Sequence, residues 1–221
     1  QQQGIEVQFH PFTRSIADLL SKRGAEFDII IISRHYIAVK HIDAVRVFAP
    51  QALVVFDTVD LHFLRSERQA ELEGSALARA SARAKRVEEL TLIRRADVTI
   101  VVSPYEQALL AELVPDARVL VLSTIHELLP PGKPFAVREG LVFIGGFQHP
   151  PNTDAVLWYA NEILPHVRAA LPGVHTYIVG SNVPGNVRAL AAEDFVVTGY
   201  VPDVTPYFGG CRVSIAPLRY G

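Results

Sequence analysis

The stretch FDTVDLHFLR, residues 56–65, gathers Asp57, Asp60, His62 and Arg65. Carboxylates and an imidazole so close together have the chemistry of a site that binds sugar-like hydroxyl groups or passes a proton, because both group types exchange protons readily. Aspartates also cap turns and helices, so Asp57 and Asp60 carry that structural reading beside the chemical one. SRHY, residues 33–36, presents a smaller cluster of the same kind. A third stretch, GLVFIGGFQHPPNTDAVLWYANEILP at residues 140–165, breaks an apolar run with Gly145 and Gly146 and passes two prolines before a helical pattern begins. Glycines there let a ligand approach the backbone amides, and they serve a simple chain reversal equally well.

The elements that position these groups follow from apolar patterning. Short Val/Ile-rich runs occur at 28–33, 52–58, 97–103 and 118–124, and again at 141–145, 175–180, 195–199 and 212–218. Runs of this kind, alternating with helical segments, predict parallel strands buried on both faces and an α/β fold in each half. Each cluster of polar residues or glycines then falls at the carboxyl end of a strand, where parallel α/β sheets bind ligands. Ser103-Pro104-Tyr105-Glu106 predicts a capped helix start. Asn152 is expected to cap a helix whose Val156, Ala160, Ile163 and Val167 share one face, with Pro165 opening a second piece. One long helical stretch is expected from Ser66 to Arg95. Leu129-Pro130-Pro131-Gly132-Lys133-Pro134 is dense in proline and glycine and reads as a linker, which divides the chain into domains at 1–129 and 135–221 joined by residues 130–134.

Composition narrows the function. With 221 residues, about half of them apolar, the chain can bury two modest cores. A formal net charge of −2 without blocks of like charge excludes an extended nucleic-acid surface. The single Cys211 makes no internal disulfide and is expected to be buried packing. No apolar run reaches the length of a membrane span, and the cytosol is the expected compartment. Arg79, Arg83 and Arg86 share one helix face and admit a membrane-surface contact, although Glu67, Glu71, Glu88 and Glu89 flank them as on an ordinary solvated face. The opening QQQGIEVQF has the features neither of a signal peptide nor of a native start, so the chain is expected to be a cut piece.

Residues 140–180 and VVTGYVPDVTPYFGGCRVSIAPLRYG together resemble the carboxy-terminal domain of bacterial retaining glycosyltransferases of the glycosyl transferases group 1 type. FDTVDLHFLR and SRHY are similar to the acceptor domain of a bacterial subgroup of those enzymes. The resemblance implies a GT-B fold: two Rossmann-like domains, each with a mainly parallel sheet, facing each other across a cleft. The first would hold the acceptor, an unidentified glycan or lipid, and the second a nucleotide-diphosphate sugar. It also implies that Gly145, Gly146 and Phe147 line the donor side, that Gly180 ends the strand beneath the nucleotide, and that Tyr200 and Val201 lie by the base. Pro217, Leu218, Arg219, Tyr220 and Gly221 would lead into the phosphate and sugar site. Asp60 and His62 are the candidate catalytic residues, on the acceptor side. No cofactor and no metal site is expected.

Two departures qualify this picture. Many relatives follow the glycine loop with Arg and Lys, where this chain has Phe147-Gln148-His149-Pro150, so the cation facing the diphosphate must come from elsewhere. The chain also ends before the glycine-and-lysine turn and the paired glutamates of the family, so the piece alone is expected to be inactive. A nucleotide-sugar epimerase and a non-catalytic two-lobed small-ligand binding protein remain as alternatives.

Overall fold

The computed structural model describes residues 4–126 and 132–220 of the chain. Every Val/Ile run forms a strand. A first compact unit, Gln1–Ile125, contains β1 (Ile29–Ser33), β2 (Leu53–Asp57), β3 (Val98–Val101) and β4 (Val119–Val121). A second, His126–Gly221, contains β5 (Leu141–Ile144), β6 (Thr176–Val179), β7 (Phe195–Gly199) and β8 (Val213–Ser214). Residues 127–131, which include part of the expected linker, and Gly221 lie outside the described residues.

The first sheet is parallel throughout, in the order β1-β2-β3-β4, with Ile29 opposite Leu53, Val55 opposite Val98 and Thr99 opposite Val119. Helices α1 (Ile16–Arg23), α2 (His35–Phe48), α3 (His62–Glu73), α4 (Ala76–Arg95) and α5 (Pro104–Leu113) accompany it. Right-handed crossovers that always step in one direction place their helices on one face of a sheet. The core follows this rule: Ile32, Val54, Phe56 and Val101 are buried with Ala38 and Ile42 of α2, Ile93 of α4 and Leu110 of α5. On the alternate face Ile29, Ile31, Leu53, Leu120 and Leu122 are exposed. β1 and β4 are therefore not buried on both faces as expected. Both of their faces are apolar, so the run IIII shows no alternation that would separate a covered face from an uncovered one.

The helical stretch expected from Ser66 to Arg95 is two helices. Gly74 ends α3 at φ +65°, a left-handed conformation that costs glycine least, and the Ser75 hydroxyl then accepts the Ala78 amide to start α4. α3 also begins earlier than expected, at His62. Asp97, ahead of β3, accepts the Val54 amide at 2.7 Å and both Arg46 guanidinium nitrogens at 3.0 Å, which fixes the β2–β3 register to α2. The Arg46 hydrogen bonds hold its carboxyl below the usual aspartate range.

The second sheet is also parallel, in the order β7-β6-β5-β8. The chain passes from β5 through α6 (Pro150–Trp158), a π-turn at Tyr159–Ile163 and α7 (Leu164–Ala170) to β6, then through α8 (Gly185–Arg188) to β7 and α9 (Thr205–Gly210) to β8. Phe143 and Ile178 pack on one face with Ala155, Val156, Leu164 and Val187. Val142, Val179 and Cys211 pack on the other with Val204 and Tyr207. Cys211 is thus buried, and burial pushes its thiol up. β8 is shorter than the expected run to 218. Its pairing ends where Ile215 donates to Val142, because Pro217 has no amide and Leu218 turns back to Ala216.

Candidate functional site

The carboxyl ends of the first sheet hold the polar cluster of FDTVDLHFLR. Asp57 holds neighbouring chain in place: Oδ2 accepts the Ser33 hydroxyl at 2.9 Å and Oδ1 the Val59 amide at 3.2 Å. Asp60 reaches the reactive groups, with Oδ1 3.1 Å from His62 Nε2 and Oδ2 accepting from Arg65 at 2.8 Å. His62 is not the exposed loop group expected from the sequence. It is the first residue of α3 and only 6% exposed, stacked on Tyr36 at 6.1 Å and met edge-on by His35 at 5.5 Å. What reaches solvent is the half-buried Asp60 carboxylate and the exposed Tyr36 ring. The arrangement is a carboxylate–imidazole pair whose imidazole is fixed by packing, able to hold a proton between Oδ1 and Nε2.

Behind this pair lie His35, from the SRHY cluster, and two glutamates of α4 that no local pattern signals. His35 Nε2 meets Glu88 Oε1 at 2.5 Å, and burial pushes the His35 imidazole down while Glu88 opposes that shift. Glu89, next on α4, is fully buried and accepts the amides of His62 and Phe63 at 3.2 and 2.7 Å. Burial pushes its carboxyl up, against those amides. Arg34 and Val59 have φ of +77° and +65°, and they sit in the loops that follow β1 and β2. Such conformations outside glycine concentrate at functional loops. Arg86 of the arginine stripe is turned inward, paired with Glu67 at 3.1 Å and 5.5 Å over the Phe63 ring. Among the described residues no helix is long and apolar enough to cross a membrane.

In the second unit β5 is flanked by β6 and β8, reached by connections that pack on opposite faces. The gap between β5 and β8 is therefore a topological switch point, the place where open α/β sheets bind ligands. The Gly145-Gly146 loop leaves one of these strands and residues 215–220 leave the other. Gly145 donates to Val179 at 2.9 Å, and an added Cβ on it would lie 2.7 Å from Asn152 Nδ2. Gly180 is held tighter: its Cβ would overlap the Gly145 carbonyl. Gly146 is different, since a Cβ there would meet only Ser181 Oγ, at 3.6 Å. Its lack of a side chain is not required by packing.

Asn152 does not cap α6 as expected. Pro150 and Pro151 take the first helical positions, where missing amides cost nothing, and Asn152 reaches back to donate to the Gly146 carbonyl at 2.8 Å. Phe147 is 7% exposed and packs on Phe143, so its ring belongs to the core below the loop while its amide donates to Ser181 at 3.0 Å. Tyr200 is 74% exposed beyond the end of β7, and Val201 is half-buried beside it. Pro217 and Leu218 carry the chain to Arg219, whose Nε donates to Asp154 Oδ2 at 2.9 Å with NH2 on Oδ1, its guanidinium 6.0 Å over Trp158. Arg219 supplies a cation at this end of the sheet, and its hydrogen bond to Asp154 raises the guanidinium pKa above its ordinary value. Tyr220 is half-buried. A groove of about 560 Å³, lined by Arg138, Glu139, His175, Tyr177 and Arg212, lies at the opposite, amino end of the strands.

The fold and the switch-point loops define an α/β protein of GT-B type, with two Rossmann-like units. Residues 138–221 match the family model described as glycosyl transferases group 1. A search of curated proteins finds no match. Among solved structures the chain is similar to TarM, with a TM-score of 0.65 at 13% identity over 90% of this chain and 38% of that one. It is similar to the pneumococcal O-GlcNAc transferase GtfA in complex with UDP and GlcNAc, with a TM-score of 0.57 at 13% identity over 90% of this chain and 39% of that one. For the alpha,alpha-trehalose 6-phosphate synthase from Burkholderia multivorans the TM-score is 0.53 at 11% identity, over 90% of this chain and 52% of that one. The chain thus spans from 38% to 52% of the length of these three structures.

Proposed function

We propose that the chain is part of a glycosyltransferase that moves a sugar from a nucleotide-diphosphate donor to a glycan or lipid acceptor with retention of anomeric configuration. The observation that carries this reading is the convergence of the Gly146 loop and the Arg219 segment at the switch point of the second sheet, within the residues that match the family model. The presence of UDP and GlcNAc in the GtfA complex supports a nucleotide-sugar donor. In this reading the open side of Gly146 admits the donor to the backbone, and Tyr200 and Val201 lie by the base. Arg219 faces the diphosphate. Cleavage of the anomeric bond leaves negative charge on that diphosphate, which amides and a guanidinium stabilise as it develops, without a cofactor. On the acceptor side the Asp60–His62 pair orients a hydroxyl or takes its proton.

The test is a transfer assay with the protein that carries this chain, supplied with UDP- and GDP-sugars and a panel of glycan and lipid acceptors. The expected product keeps the anomeric configuration of the donor. Gly146→Ala is expected to keep the wild-type melting temperature while transfer falls about 100-fold. Conversion of the donor sugar without any acceptor would favour an epimerase instead, and a Gly146→Ala protein with full activity would remove the loop from the site.

A further inference from the structure

We propose that Glu89 and Glu106 are positioning residues for Asp60 and His62: from two other helices they hold the amino end of α3, and with it the loop that carries the pair. The inference rests on the reading of this loop as the acceptor side. The N-cap position of α3 is Leu61, whose side chain accepts no hydrogen bond. Three successive amides donate instead to carboxylates far along the chain, Leu61 to Glu106 Oε1 at 3.3 Å, His62 to Glu89 Oε1 at 3.2 Å and Phe63 to Glu89 Oε2 at 2.7 Å. Capping of a helix is ordinarily local, by a Ser, Thr, Asp or Asn at the cap itself. Here it is tertiary, so the placement of Asp60 and His62 depends on how α4 and α5 pack.

The loop needs this support. Val59 sits at φ +65°, where a β-branched residue persists only when its surroundings over-determine it. Glu106 adds a second tie, accepting the Val102 amide at 3.1 Å and the Ser103 hydroxyl at 3.3 Å, so that one carboxylate joins the loop after β2 to the start of α5. Glu88 extends the brace to His35, whose ring meets His62 edge-on. The same bonds close the amino end of α3 to an anionic ligand, since its leading amides are already occupied.

Glu89→Gln preserves the shape of the side chain but replaces one acceptor oxygen with a donor, so either the His62 or the Phe63 amide loses its partner. In the enzyme that carries this chain, the acceptor KM of Glu89→Gln is expected to rise about tenfold, as for a displaced positioning group, with the donor KM unchanged. In the chain itself the ring 15N signals of His62 are expected to move in both Glu89→Gln and Glu106→Gln. A merely structural role would lower the rate in proportion to the folded fraction, leave both KM values alone and leave the His62 signals in place, and that result overturns the proposal. If Glu89→Gln does not fold, Glu106→Gln carries both readouts. If the wild-type enzyme transfers no sugar, the glycosyltransferase reading fails, and the His62 signals still decide whether the two glutamates position the pair.

Discussion

Gly180→Ala is expected to destabilise the second unit by about 3 kcal/mol, the upper end of what forced overpacking costs. The added methyl would overlap the Gly145 carbonyl oxygen, and it would lie 2.9 Å from the carbon of that group and 3.3 Å from the Phe147 ring. Neither backbone can swing away cheaply. Gly145 donates to Val179 at 2.9 Å and Gly180 to Gly199 at 3.0 Å, so both are tied down directly beyond the ends of the adjoining parallel strands β5 and β6. Trp158, the one tryptophan of the sequence, lies on α6 of this unit and reports its unfolding by fluorescence. A urea midpoint equal to wild type would show that β5 and β6 do not approach as described. Gly146→Ala is the internal contrast: two glycines in one neighbourhood, one required by packing and one left open.

Phe195→Ala is expected to cost about 3–5 kcal/mol, because a buried aromatic leaves both lost transfer energy and a cavity. Phe195 is 1% exposed at the start of β7, and its ring stacks on Tyr159 at 6.4 Å. Tyr159 is fixed in turn by a 2.9 Å bond between its hydroxyl and Thr176 Oγ1, so the cavity cannot collapse by a simple ring movement. The loss is expected to fall on the second unit alone. Its core residues are drawn from residues 142–211, whereas the first core is built from residues 20–114. Hydrogen exchange should show faster amides in β5, β6 and β7 and wild-type protection at Val54, Phe56 and Val101. Joint loss of protection in both units would show one cooperative structure in place of two domains.

These particulars also show what a reader of the sequence could see. The eight strands were legible because uninterrupted Val/Ile runs between helical segments have few other outcomes, and Ser103-Pro104-Glu106 announced α5 through local chemistry alone. The one-sided burial of β1 was not legible, since Ile29 to Ile32 have the same character on both faces. Gly74 could be tolerated inside a helix, and only its left-handed φ marks the break. The cap expected at Asn152 falls three residues earlier, at His149, because Pro150 and Pro151 occupy the first helical positions that their missing amides suit.

The site was legible by position and less so by role. Asp60, His62, Gly145 and Gly146 do lie at strand carboxyl ends, as parallel topology requires. That His62 is buried, and that Phe147 turns into the core, depends on neighbours from other elements. Glu89 and Glu106 act on amides 26 to 45 residues away, and Arg219 pairs with Asp154 across 65 residues. No local pattern signals such partners.

The assignment of nucleotide binding to the second unit is open to one direct measurement: chemical-shift mapping of UDP and GDP, at millimolar concentration, onto the 15N-labelled chain. Shifts are expected at Gly145, Gly146, Gly180, Tyr200, Val201, Arg219 and Tyr220, with the amides of Leu61, His62 and Phe63 unmoved because Glu89 and Glu106 already occupy them. Shifts confined to the first unit, or to Arg138, His175 and Arg212 at the amino end of the second sheet, would contradict the assignment.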